Sequence, residues 1–292
     1  FKTVKTAQEL EGWFQGLLHE YMKWARYLYH NAVRRDESLR ELQFPFAYRN
    51  GQRDLAVSVY RTVSRGRKLF IQAPTGIGKT LSAMFPSLKA IGEGYGDKLF
   101  YLTAKTITRS VAEETLEILR NRGLYFRSVT ITAKEKLCFL EKPECNPDAC
   151  PHAKGHFDRV NDAVYTAVHQ EFGITRETIL SYAEQFQVCP FELCLDISSF
   201  VDGIICDYNY VFDPDVRLKR YFSESQRGDY IFLIDEAHNL AGRAREMYSA
   251  SLAREDIMEI RKYIKPYSPR LYRALGRAAR QLLEIKKDLT NC

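Results

Sequence analysis

The sequence predicts an α/β fold in which a parallel sheet is covered on both faces by helices. Two observations carry this. Short, continuous apolar runs recur through the middle of the chain, "KLFIQ", "KLFYLT", "SVTIT", "GIICD" and "YIFLID"; strands buried on both faces read as unbroken hydrophobic runs rather than alternating ones. Longer segments with helical periodicity separate them, the pattern of parallel strands joined by crossover helices.

In chain order, Leu10, Trp13, Phe14, Leu17, Leu18, Tyr21, Trp24, Ala25 and Leu28 recur at intervals of three and four, so Glu9 to Leu28 is expected to form one amphipathic helix. A charged run from Arg34 to Glu41 leads into "FPFAYRNGQ". The strands are expected at Lys68–Gln72, Lys98–Thr103, Ser128–Thr132, Gly203–Asp207 and Tyr230–Asp235. Between the third and fourth lies an interruption of roughly seventy residues, far longer than ordinary loops. It carries two helix-like segments, Phe157–Glu171 and Thr175–Gln187, and is expected to be an inserted subdomain. After Asp235 the chain turns helical and basic, and Ser268 with Pro269 is placed to start a new helix.

The composition is that of a water-soluble globular chain: 292 residues, 45% hydrophobic and 27% charged, without an apolar run long enough to span a bilayer. The chain starts at Phe1 and lacks a secretory leader pattern, so it is expected to be a piece of a longer cytosolic protein. The net charge of +6 sums an acidic minority with basic clusters such as "YRTVSRGRK", which favour phosphate-bearing partners. The seven cysteines, an odd number in a chain without a leader, point to thiolate chemistry or buried thiols rather than a disulfide framework.

Two motifs carry chemistry. In "QAPTGIGKT", Ala73 stands where a phosphate loop usually has its first glycine, but Gly76, Gly78, Lys79 and Thr80 follow an apolar run and precede a helix, the context the motif requires. Pro74, Thr75, Gly76, Ile77, Gly78, Lys79 and Thr80 are therefore expected to bind ATP: backbone N–H groups converge on phosphate oxygens, Lys79 reaches the β- and γ-phosphates, and Thr80 offers its hydroxyl to Mg²⁺. In "YIFLIDEAHNL", the apolar run delivers Asp235 to the carboxyl end of a strand, where open α/β sheets bind ligands. Asp235 is expected to hold Mg²⁺, and Glu236 to orient and deprotonate the attacking water. Cys138, Cys145 and Cys150, with Cys189 further on, have gaps longer than the paired spacing of structural zinc sites. They leave open a zinc site that pairs Cys145/Cys150 with Cys189/Cys194 or recruits His152 and His156, and an iron–sulfur cluster, whose ligands come from separated corners of a larger volume.

"APTGIGKT" and "DEAH" resemble motifs I and II of superfamily 2 helicases, and the cysteine-rich insert between them resembles that of the XPD/DinG iron–sulfur helicases. "AYRNGQ" is similar to the upstream adenine-reading motif, which implies that Gln52 reads the adenine and Tyr48 stacks on it. "YLTAKTIT" resembles motif Ia, which implies DNA-phosphate contacts from Lys105 and Thr106. The resemblance runs from about Phe44 to Asn239. It implies a RecA-like P-loop NTPase domain, an ATP-dependent DNA helicase moving 5′ to 3′ on single-stranded DNA in repair or replication-linked processing, and a [4Fe–4S] cluster on Cys138, Cys145, Cys150 and Cys189. Cys194, Cys206 and Cys292 are then expected to be buried or inert thiols. Phe139, Phe157 and Tyr165, with their basic neighbours Lys136, Lys142, Lys154 and Arg159, are candidates to contact bases and backbone, although each aromatic taken singly is more readily a core residue; Cys206–Arg217 resembles a family stretch near the DNA path. The implied organisation is an N-terminal helical extension (1–43), motor domain in two parts (44–135 and 196–245), cluster insert (136–195) and the start of a helical arch domain (246–292). The implied partners are single-stranded DNA and DNA junctions, with no membrane, for a monomer in the cytoplasm near the nucleoid. The second RecA-like domain of the family lies outside these residues, so unwinding is expected of a longer protein. A zinc-containing ATPase switch or scaffold without unwinding activity is the competing reading.

Overall fold

The computed structural model describes residues 4–74, 76–104 and 106–290, and the chain divides into two compact units, Phe1–Leu240 and Ala241–Cys292. The first is built on a five-stranded, wholly parallel sheet of order β3-β2-β4-β1-β5. Its strands are β1 (Lys98–Leu102), β2 (Ser128–Thr130), β3 (Gly173–Ile174), β4 (Gly203–Cys206) and β5 (Tyr230–Ile234). Four are the predicted apolar runs; β1, β2 and β4 are buried between helices, with Phe100 and Leu102 of β1 fully enclosed, whereas the edge strand β5 is buried only at Ile231. β3 was not predicted. It pairs with β2 through Ser128 and Val129, so the segment between β2 and β4 supplies the sheet's outer strand.

The helices of this unit are α1 (Ala7–Glu41), α2 (Gln52–Ser64), α3 (Lys79–Gly92), α4 (Thr106–Arg120), α5 (Lys134–Leu137), α6 (His156–Gln170), α7 (Arg176–Gln185), α8 (Pro190–Ser198), α9 (Asn209–Phe212) and α10 (Lys219–Phe222), with α11 (Leu240–Met247) beginning at its end. α1 is longer than its apolar periodicity predicted, because the charged run continues the helix. A capping box between Thr6 and Glu9 starts it, and its carboxyl end is held by Leu39 and Leu42, both buried in the core with Met84, Leu88, Leu99, Leu116 and Phe126. Contact there is close: a Cβ at Gly92 of α3 would lie 2.6 Å from the Leu39 Cβ, so only glycine lets α3 approach α1.

One predicted strand is absent. Residues 68–72 are irregular, and Phe70 is 89% exposed. A strand needs a ladder neighbour to satisfy its backbone groups, and β propensity reflects packing on a sheet surface more than an intrinsic preference. Among the described residues β5 pairs only with β1, so the apolar run finds no partner.

At the amino ends of the strands the carboxylate of Asp202 is buried. It accepts from the Arg127 N–H at 2.8 Å, the Asn31 amide at 3.3 Å and the Arg35 guanidinium at 3.4 Å. This network ties α1 to the residues preceding β2 and β4. Burial pushes the Lys98 ammonium beside it down to about 8 and pushes the Asp202 carboxyl up.

The second unit contains α12 (Arg254–Ile264) and α13 (Pro269–Thr290). The Ser268 hydroxyl accepts from the Leu271 N–H at 3.3 Å, the start the sequence predicted for α13. Arg261 lies 4.0 Å over the Tyr272 ring and donates to the Tyr272 carbonyl at 3.2 Å, joining the two helices.

Candidate nucleotide and cluster sites

The loop after Gln72 turns on Gly76 (φ 83°) and Gly78 (φ 79°), both left-handed, and Gly78 caps α3. This backbone aims the first N–H groups and the positive end of a 14-residue helix at the loop's concave side, as phosphate binding requires. Lys79 arches back over the loop and donates to the Ala73 carbonyl at 3.2 Å. Gln52, the first residue of α2, is buried at 4% exposure, and its Oε1 accepts from the Arg49 N–H at 2.9 Å. A Cβ at Gly78 would meet the Gln52 amide nitrogen at 2.8 Å, so a side chain there is excluded twice, by φ and by contact. The Arg49 guanidinium donates to the Gly76 carbonyl. Thus "AYRNGQ" is clamped onto the loop, with Tyr48 stacked on Phe44 at 4.1 Å between ring centres. Thr75 lies outside the described residues; Pro74 and Ile77 sit in the same turn.

Asp235 follows β5 directly, and its N–H donates to the Leu102 carbonyl at 2.9 Å. Glu236 is left-handed (φ 51°), an uncommon state for a residue with a Cβ and costly unless its surroundings hold it. The holding group is Tyr208, fully buried, whose hydroxyl donates to the carbonyls of both Asp235 and Glu236. Glu236 also donates its N–H to Asp235 Oδ1 at 3.1 Å, and its carboxylate lies 3.4 Å from His238 Nδ1.

Sequence reasoning missed Tyr208 and a second tyrosine. Tyr101 of β1 is 3% exposed; burial pushes its phenol up, and Thr80 and Asp235 both lie close enough to act on it. The phenol thus lies near both the residue expected to hold Mg²⁺ from α3 and the one expected to hold it from β5. Nothing in "KLFYLT" distinguishes it, since tyrosine is a common strand residue; only the β1–β5 register places it there. Tyr101→Phe is expected to raise the Mg²⁺ concentration needed for half-maximal ATP hydrolysis several-fold while leaving the fold intact, measured by Mg²⁺ titration of the intact protein's ATPase.

Beyond β1, Thr103 and Thr108 share a hydrogen bond, and Arg109 pairs with Asp207 at 3.7 Å, fixing the start of α4 to the end of β4. Lys105 lies outside the described residues; Thr106 opens α4.

In the insert, Cys138 caps α5 and Cys189 caps α8, while Cys145 and Cys150 lie in the connection between α5 and α6. None of the four is in a disulfide. Cys145 lies close enough to push the Lys134 ammonium up, and Cys189 adds to the same shift. Burial pushes the Cys189 thiol up, with Cys145 close enough to act on it. The Cys189 N–H donates to His156 Nδ1 at 3.2 Å, which places the imidazole proton on Nε2. That Nε2 and His152 Nδ1 are buried without a hydrogen-bond partner. Four free thiols and two orphaned imidazole nitrogens between Cys138 and Cys189 match a thiolate-held cluster in donor chemistry. Among the described residues, however, no three His, Cys, Asp or Glu side chains are gathered closely enough to hold a metal ion.

Cys194 and Cys206 are fully buried, as expected, and burial pushes the Cys194 thiol up to about 12. Cys292 lies outside the described residues. Phe157 is 86% exposed, but Tyr165 packs on Trp24 and His169 as part of the α1–α6 contact. No helix among the described residues is long and apolar enough to cross a membrane.

Two family models match the chain: DEAD_2 over residues 109–257, and DEAD/DEAH box helicase over residues 53–142. It is 24% identical over 261 residues to the regulator of telomere elongation helicase 1 homolog of Caenorhabditis elegans, covering 74% of this chain and 26% of that protein. It is 24% identical over 233 residues to the general transcription and DNA repair factor IIH helicase subunit XPD/RAD3 of Saccharomyces cerevisiae, covering 66% of this chain and 29% of that protein. The chain thus spans about a quarter of the length of these curated relatives. Among solved structures, a truncated XPD superposes with a TM-score of 0.53 at 20% identity, covering 79% of this chain and 64% of that one. An XPD helicase superposes with a TM-score of 0.53 at 21% identity, covering 81% and 40%. These likenesses establish the RecA-like α/β fold of the XPD helicases.

Proposed function

We infer the function of this chain from its family and its site: it belongs to the DEAD_2 family, and we propose that it is the ATP-binding motor domain of an ATP-dependent DNA helicase that moves 5′ to 3′ on single-stranded DNA. The observation that supports this most is the glycine loop that turns on Gly76 and Gly78 and ends in Lys79 at the start of α3, with Thr80 and Asp235 both close enough to act on the Tyr101 phenol. Lys79 holds the β- and γ-phosphates. Thr80 and Asp235 hold Mg²⁺, which neutralises phosphate charge when bound. Glu236, turned into the left-handed region by Tyr208, directs its carboxylate at the attacking water and accepts its proton. Gln52 reads the adenine and Tyr48 stacks on it; Lys105 and Thr106 contact DNA phosphates. A [4Fe–4S] cluster on Cys138, Cys145, Cys150 and Cys189 fixes the insert, whose thiolate bonds supply folding free energy. The protein serves repair or replication-linked processing as a monomer in the cytoplasm near the nucleoid.

The test is strand separation by the intact protein on duplexes carrying one single-stranded tail. ATP-dependent separation of a 5′-tailed duplex, with a 3′-tailed one untouched, is expected. ATP hydrolysis without separation of either substrate would instead support an ATPase switch.

A further inference from the structure

The strands are parallel, so the residues after β1 and β4 and the Asp235 turn after β5 share their carboxyl ends, and the opposite edge is formed by the residues that precede them. A cavity of about 780 Å³ opens near that edge, between α1 and the segments around Tyr125 and α6. Its lining holds cations and histidines but no carboxylate. His19, Lys23, Arg26, His30 and Arg34 line it from α1, spaced by three and four residues, so they form one row on one helix face. At 1.5 Å per residue the row is about 22 Å long. Arg127 and His169 face it from the other wall. Arg127 is 4% exposed, anchored to the Val168 carbonyl at 2.5 Å and stacked 4.8 Å over the Tyr125 ring, so this wall is fixed. The nearest carboxylate on α1, Glu20, is paired with Lys23 at 3.6 Å; Asp202 lies beneath the cavity, occupied by Arg35, Asn31 and Arg127.

A row of cations suits a chain of phosphates better than a single anion; the Tyr165 and Tyr125 rings are covered by His169, Lys23 and Arg127, so the contact is with the backbone of a nucleic-acid strand rather than by stacking of its bases. We propose that this cavity is a second binding site for single-stranded nucleic acid, separate from the carboxyl-edge contacts of Lys105 and Thr106 and outside the helicase motifs. It seats the phosphate backbone along α1, within crosslinking reach of Tyr125 and Tyr165. A free polyphosphate carries the same phosphate-chain chemistry.

The test compares the intact protein with its Arg26→Glu/Arg34→Glu variant, both positions being exposed on α1. Fluorescence anisotropy with labelled oligothymidylate is read across a salt series. The variant is expected to bind about tenfold or more weakly at low salt, with a salt slope lower by about 1.4, or 0.7 for each lost phosphate contact. Its circular dichroism and basal ATP hydrolysis are expected to match the parent's. Oligothymidylate carrying 4-thiothymidine is expected to crosslink to peptides containing His30, Tyr125 or Tyr165. Unchanged affinity and slope, or crosslinks confined to residues 98–110 and 136–155, would overturn the proposal. So would binding of inorganic polyphosphate, sensitive to the double substitution, without binding of oligothymidylate. Lys79→Ala separates this site from the motor: it is expected to remove hydrolysis and leave these crosslinks in place.

Discussion

Glu236→Gln is expected to lower the ATP turnover of the intact protein by about 10²–10⁴-fold, the usual contribution of a positioned general base, while ATP still binds. The geometry gives the reason. Tyr208 and the Glu236 N–H to Asp235 bond hold the backbone in its left-handed state, and none of these bonds uses the Glu236 side chain. Glutamine keeps the turn and loses only the proton acceptor. Lys79→Ala is expected to behave differently, losing nucleotide affinity together with turnover, because the ammonium meets the phosphates in the ground state and the transition state alike. Equilibrium binding of a fluorescent ATP analogue beside steady-state hydrolysis separates the two patterns. Equal loss of binding in both variants would contradict the role given to Glu236.

The second large effect lies in the insert. Cys150→Ser is expected to abolish the visible absorbance of anaerobically purified protein, to remove most of its iron and labile sulfide, and to loosen residues 136–195 to proteolysis. Cys194→Ser is expected to keep the absorbance. Cys194 is fully buried under β2, its Sγ 3.8 Å from the Thr130 carbonyl, so serine there costs about 1–3 kcal/mol of stability through burial of a more polar group. Cys150→Ser thus loses the chromophore and loosens the insert, whereas Cys194→Ser lowers stability and spares the chromophore. Iron and sulfide analysis with thermal unfolding checks both, and a colourless parent protein containing zinc would contradict the cluster assignment.

Much of the sheet was legible because both-face burial leaves an unbroken apolar run: "KLFYL", "SVT", "GIIC" and "YIFLI" all became strands. "KLFIQ" carried the same signal and formed none, since a run encodes the wish for burial and not the presence of a neighbour. β3, only Gly173–Ile174, is too short to have any periodicity. The helix expected over Glu9–Leu28 continues to Glu41 because Leu39 and Leu42 anchor it by tertiary contact inside a stretch that reads as charged.

At the site, loop glycines and the acidic pair were readable because phosphate and Mg²⁺ chemistry restricts which residue types serve. Tyr101 and Tyr208 were not, because each acts through one hydroxyl whose partners are far away in sequence: Tyr208 reaches Asp235 and Glu236 from the β4 end, and Tyr101 reaches Thr80 and Asp235 from β1. The Asp202 network was hidden for the same reason, with Asn31 separated from it by 171 positions.

The central claim is that this domain couples ATP hydrolysis to single-stranded DNA, and the most direct measurement is the ATPase rate of the intact protein with and without single-stranded DNA. The rate is expected to rise with single-stranded DNA, to rise less as salt increases, and to vanish in Lys79→Ala. A rate indifferent to DNA, or one that survives Lys79→Ala, would contradict it.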